Sequence, residues 1–183
     1  MADIAPTVSK QQGQSFWDAN PCGGGWSRYA DFLAWIQRAE PYAFEIVDRR
    51  DWAGKCVLDV GCGQGTLLNH LPDFGATMFG LDMSSASLRR AAAGANELGY
   101  SDCVHLLVAD AEGLPFPDAC FDAVLSFGVL HHTPDTWGGG EGTMARVEAR
   151  RPGSGDAVSN WQSQVVDGPA CARRFPSGGP DRW

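Results

Sequence analysis

The run Val57-Leu58-Asp59-Val60-Gly61-Cys62-Gly63-Gln64-Gly65-Thr66 constrains this chain more than any other segment. A short apolar strand enters three alternating glycines and then helix-forming sequence. Glycine turns the backbone sharply and admits a ligand where a Cβ would stand, and a helix beginning near Thr66 would aim free N–H groups into that space. The spacing Gly-x-Gly-x-Gly is tighter than the Gly-x-Gly-x-x-Gly of dinucleotide loops, and an acidic residue, Asp59, lies just before the first glycine. Pro72 falls inside the expected helix and is predicted to shorten or kink it.

Further strands follow in order. Ala76 to Asp82 reads as a strand ending in a carboxylate, about 20 residues past the glycines, where such folds hold ribose hydroxyls. Val104 to Asp110 reads as a third strand and Phe121 to Phe127 as a fourth, with the proline-punctuated turn Ala111 to Asp118 between them. Near-continuous apolar runs separated by helical sequence such as Ser84 to Leu98 indicate parallel strands buried on both faces. Right-handed crossovers then predict the spatial order 3-2-1-4 with helices on both faces. Upstream, Phe16 to Gly25 is turn-rich and aromatic, and Tyr29 to Arg38 is helical in spacing, with Phe32, Trp35 and Ile36 on one face. Residues 1–50 are therefore expected to form an N-terminal helical cap.

The segment Asp59 to Gly65 resembles motif I of class I S-adenosylmethionine-dependent methyltransferases. Leu114-Pro115-Phe116-Pro117-Asp118 and Gly128-Val129-Leu130-His131-His132-Thr133-Pro134-Asp135 narrow the resemblance to the type 11 methyltransferase domain family. It covers roughly Gly54 to Asp135. It implies a Rossmann-like, doubly wound α/β domain over residues 51–135, S-adenosyl-L-methionine as cofactor, and O-, N- or C-methylation of a small molecule. By the same resemblance Asp59 holds the methionyl amino group, and Gly61, Gly63 and Gly65 let the backbone approach the methionyl and ribose parts. Asp82 accepts the ribose hydroxyls, Met83 lies against the adenine, and Asp110 with the Ala111 N–H reads the adenine edge. Ser126 and Phe127 end the fourth strand where the reactive methyl is expected, and His131 follows as a candidate proton acceptor.

Each position also has a plainer use. Asp59 can be a buried acid held only by the loop backbone, Asp110 a strand-end cap, Met83 core, and His131 a loop hydrogen-bonder. Trp17 and Tyr29 line the acceptor pocket or simply pack the cap onto the sheet. An NAD(P)-binding oxidoreductase would share the glycine loop and Asp82, but the tighter glycine spacing and Asp110 argue against it.

A net charge of −8 argues against a nucleic-acid partner. No apolar run approaches the ~18 residues of a membrane span, and Met1 to Lys10 has neither the basic start nor the apolar core of a signal peptide, so the cytoplasm is the expected compartment. Six cysteines show no Cys-x-x-Cys pairing, which points away from a metal site or a disulfide framework.

From Asp135 to Trp183 there is no Leu and no Ile, and the helix, Pro-Gly-Gly turn and closing strands of the family are unreadable. Back-translating Met144 to Gly153 and reading one nucleotide later forces Trp, allows Arg-Val-Leu, forces Lys or Arg, and allows Pro-Gly-Gly-Arg. A frameshift near Trp137-Gly138-Gly139-Gly140, whose codons can form a run of guanines, accounts for this. Residues 136–183 are then expected to be a disordered, out-of-frame tail that leaves the fourth strand as a bare sheet edge. An inactive methyltransferase fragment is the resulting alternative to a working enzyme.

Overall fold

The computed structural model describes residues 9–21, 26–117, 120–129 and 163–167 of the 183-residue chain. His131, the Trp137 to Gly140 segment and the tail other than 163–167 lie outside the described residues.

Strands β1 (Cys56–Val60), β2 (Thr77–Asp82), β3 (Val104–Val108) and β4 (Ala123–Phe127) are parallel and stand in the order β3-β2-β1-β4, as the sequence predicts. The register sets Asp59 beside Gly80 on one side and Leu125 on the other. Asp122 anchors the outer end of this pairing: its carboxylate accepts the Cys56 N–H at 2.8 Å. Because side chains alternate along a strand, the sheet divides two cores. Val57, Met78 and Leu125 join Phe44 and Val47 of α3 (Pro41–Asp48) and Leu88 and Ala91 of α4 (Ser85–Leu98). Leu58, Val60, Leu81 and Val124 face the other way, against Cys120 and Phe121.

Helices are expected on that second face too, and residues 130–162 lie outside the described ones. Among the described residues the face is covered by the connection from β3 to β4, with Ala109, Ala111, Leu114 and Phe116 packed over it. Pro115 and Pro117 cannot donate to a helix and clash with its preceding turn, so this crossover stays irregular. The helix expected from Thr66 is likewise replaced. Gly65 N donates to Cys62 O at 2.8 Å and Asn69 N to Gly65 O at 2.9 Å, and the turns run into a short 3-10 helix, Leu71–Phe74, with Pro72 in its first turn. Leu67, Leu68 and Leu71 remain buried, so the segment keeps its inward face while losing α-geometry.

Two cap elements were not legible as helices. α1 (Lys10–Ala19) extends through part of the segment read as turn-rich, started by a capping box between Ser9 and Gln12. α3 opens on Pro41, where a missing N–H costs nothing. Of the predicted apolar stripe on α2 (Tyr29–Ala39), Phe32 is buried and Ile36 packs on the core, whereas Trp35 turns outward and stacks with Trp26 at 5.7 Å.

The bare edge expected at β4 is also corrected. β5 (Ser163–Asp167) runs antiparallel along β4, with Leu125 opposite Val165. An edge strand offers a row of free N–H and C=O groups, and a segment with adjacent β-branched residues, Val165-Val166, suits that ladder.

Candidate functional site

Four parallel strands end together, and the chain reverses its direction of sheet growth between β1 and β4. In open α/β sheets that reversal leaves a crevice at the carboxyl ends of the strands. Asp59 on β1, the loop from Gly61 to Gly65, Asp82 at the end of β2, Asp110 just past β3, and Ser126 with Phe127 on β4 all lie at that end of the sheet.

The loop is pinned at its root, where Gly61 N and Cys62 N both donate to Leu81 O at 2.7 and 3.0 Å. Gly61 sits at φ 72°, and a Cβ there would meet the Val129 side chain at 2.3 Å. Gly63, at φ 56°, is different: among the described residues no atom beyond its own chain neighbours lies within 4 Å of where its Cβ would stand, and its N–H donates to Asp82 Oδ2 at 2.9 Å. The loop and the β2 carboxylate thus meet beside open space.

The electrostatics follow from burial. Asp59 is 3% exposed. Desolvation, and then the neighbouring Asp82 carboxylate, push its carboxyl up to about 7, against a hydrogen bond from the Leu68 N–H. Asp82 is also raised, by burial, although the N–H groups of Ser84, Gly63 and Met83 favour its charged form. For Asp110 burial opposes the charge, but Lys10 and the Glu112 N–H outweigh it and hold the carboxyl below its usual range. A buried acid facing a half-buried one is relieved by a cationic ligand.

The remaining predicted residues take these places. Met83 presents its carbonyl to Gln14 Nε2 at 3.1 Å. Ala111 packs on the second core. Ser126, 3% exposed, donates its hydroxyl to Val60 O at 3.3 Å and so ties β4 to β1, while the Phe127 ring lies 5.7 Å from that of Tyr42.

The sequence reading missed what α1 does. Lys10 pairs with both Asp110 and Glu112, Gln14 holds the Met83 carbonyl, and Asp18 accepts the Ser84 hydroxyl at 2.7 Å and the Ala86 N–H at 3.2 Å. These three residues share one helix face by their spacing. That spacing is visible in the sequence, but the groups it faces, at the ends of β3 and β2 and the start of α4, are not. Tyr29, expected to line the pocket or pack the cap, lays its hydroxyl on the glycine loop: Gln64 O and Gly65 O lie at 2.8 and 2.7 Å.

The methyltransferase domain family matches residues 58–147. Among curated relatives, the chain is 36% identical over 111 residues to the ubiquinone biosynthesis O-methyltransferase of Pseudomonas fluorescens (strain SBW25), covering 60% of this chain and 47% of that protein. It is 38% identical over 112 residues to the 27-O-demethylrifamycin SV methyltransferase of Amycolatopsis mediterranei (strain S699), covering 60% and 39%. Among solved structures it superposes on the 4+2 cyclase SpnF with a TM-score of 0.55 at 29% identity, covering 71% of this chain and 52% of that one. Residues 58–147 thus carry the match to the methyltransferase domain family, and the relatives support the class I S-adenosylmethionine-dependent methyltransferases. The chain spans less than half the length of these two curated relatives.

Proposed function

We propose that this protein transfers the methyl group of S-adenosyl-L-methionine to a small-molecule acceptor. The observation that carries the reading is the Gly63 N–H seated on Asp82 beside an open cradle, with the buried Asp59 carboxyl one strand away. A ligand with an ammonium, a sulfonium and two ribose hydroxyls suits that combination of open backbone and confined acid. When bound, the cofactor supplies the electrophilic methyl group.

The chain's own residues bind, orient and exclude water. Asp59 receives the methionyl amino group, and Gly61, Gly63 and Gly65 let the backbone approach. A carboxylate offers about four lone-pair sites, so Asp82 takes the ribose hydroxyls while keeping Gly63 and Ser84. Met83 lies against the adenine, and Asp110 with the Ala111 N–H reads its edge. Ser126 and Phe127 border the methyl group, and His131 takes the acceptor's proton. The two named O-methyltransferase relatives support oxygen as the acceptor atom.

The proposal keeps residues 1–50 as cap, 51–135 as cofactor-binding domain and 136–183 as out-of-frame sequence. Support for the last comes from the missing Leu and Ile and the Pro-Gly-Gly turn recoverable one nucleotide later. Resequencing the codons for Trp137 to Gly140 tests it. No helix among the described residues is long and apolar enough to cross a membrane. The thiols of Cys62 and Cys103 support a reducing compartment such as the cytoplasm.

Calorimetry with S-adenosylhomocysteine tests the site. Binding is expected, and Asp82→Ala should weaken it at least tenfold, since each charge-assisted hydrogen bond contributes roughly 1.5–3 kcal/mol. Tighter binding of NAD overturns the reading. Because a structural neighbour is named a cyclase, methyl transfer to a panel of small phenols is a separate requirement. Cofactor binding without transfer would refute the activity and leave the binding site standing.

A further inference from the structure

We infer that Tyr29 is a positioning residue of the ligand loop, reaching from the cap to set how the peptides after Gly63 present their N–H groups. The inference rests on the reading of that loop as an S-adenosyl site, and it adds a residue that acts through the loop backbone.

The Tyr29 hydroxyl lies 2.8 Å from the Gln64 carbonyl oxygen and 2.7 Å from that of Gly65. A trans peptide is planar, with its C=O and N–H pointing in opposite directions. Drawing these two carbonyls toward α2 therefore turns the N–H groups of Gly65 and Thr66 the other way. Gly65 N meets Cys62 O at 2.8 Å, which closes the loop. Burial keeps the phenol above its ordinary value, against a hydrogen bond with the Asn69 side chain, so the hydroxyl remains a donor.

The placement is built from several independent parts. Gly94 of α4 leaves a notch for the ring, since a Cβ there would come within 2.4–2.6 Å of three Tyr29 ring atoms. Glu97, one turn further, accepts the Tyr29 and Ala30 N–H groups at 2.8 and 3.0 Å and so caps α2 from outside its own sequence. The space beside Gly65 is closed by Asn69 Nδ2 at 2.9 Å, Ala91 Cβ at 3.1 Å and Tyr29 Oη at 3.3 Å, so a side chain larger than hydrogen would push the hydroxyl off the loop. A ring needed for packing alone would be served by phenylalanine. The hydroxyl is what reaches the loop.

Tyr29→Phe keeps the ring in the Gly94 notch and deletes the one oxygen. In the full chain, calorimetry with S-adenosylhomocysteine should show a dissociation constant raised roughly three- to tenfold, the range a single hydrogen bond gives. KM for S-adenosyl-L-methionine should rise while kcat stays within about twofold, which marks loss of ground-state positioning. Hydrogen exchange should accelerate at the amides of residues 61–66 and stay unchanged in the strands. An unchanged dissociation constant with unchanged loop exchange overturns the inference and leaves Tyr29 as packing. If the wild-type chain binds no S-adenosylhomocysteine, the reading of the site fails instead, and loop exchange in Tyr29→Phe still decides the role of Tyr29.

Discussion

α1 and the α2–α3 pair both precede the sheet in the chain, yet opposite forces hold them. α1 buries none of its residues and is fastened by Lys10, Gln14 and Asp18 to polar groups at the strand ends. α2 and α3 bury Phe32, Ala43, Phe44 and Val47, and α3 shares one core with β1 and β2. Burying a phenylalanine or valine contributes about 1.5–3 kcal/mol, whereas exposed ion pairs are screened by salt and contribute little. The comparison separates two jobs. α2 and α3 are held to the sheet by buried side chains, and α1 is a strap fastened by polar contacts at the strand ends.

The largest test is Phe44→Ala. Phe44 packs on the core and edge-on to His70 at 4.9 Å, so its truncation should lower unfolding free energy by about 3–5 kcal/mol in urea titrations. A loss no larger than that of Phe16→Ala on α1, where the ring is 55% exposed, would break the comparison.

A pH series tests the same contrast with opposite signs. Asp59 has its carboxyl raised from 3.8 to about 7 by burial, so the folded state binds this proton more tightly than the unfolded chain. Its contribution is therefore fully present below about pH 4 and is lost as pH rises toward about 7. Asp18 and Asp110 are lowered, so the hold they give α1 is present above the ordinary carboxylate range and is lost as pH falls through it. Acid should strengthen the core while loosening the strap. Denaturation midpoints from about pH 4.5 to 7 should fall in the wild type and flatten in Asp59→Asn, whereas proteolysis within α1 should rise on acidification.

Gly94→Ala comes next. The added methyl meets the Tyr29 ring, so α2 must shift, and overpacking of this kind costs about 1–3 kcal/mol despite the better helix propensity of alanine. A stabilised variant would show that α2 is not seated in the notch. The smallest effect on global stability belongs to Lys10→Ala. Its melting temperature should match the wild type, while amide exchange in residues 10–19 accelerates. Wild-type protein in about 1 M salt should show the same acceleration, because salt ions compete for exposed ion pairs.

The sequence by itself determined the strand order, the glycine loop, the acids on β1 and β2, and the helical stretch of α4. Each of these is written in local chemistry: near-continuous apolar runs, glycines before helix-forming sequence, and a fixed crossover hand. Other features came from the tertiary structure. Nothing near Lys10 in the chain names Asp110, nothing near Tyr29 names Gly65 or Gly94, and Ser163–Asp167 pairs with β4 from far along the chain. Even the raised carboxyl of Asp59 needs the burial and the facing Asp82 that the assembled sheet supplies. Pattern encodes what a segment becomes. Which groups it meets depends on distances that exist only after the sheet has closed around them, because hydrogen bonds, ion pairs and desolvation act over a few ångströms in space rather than along the chain.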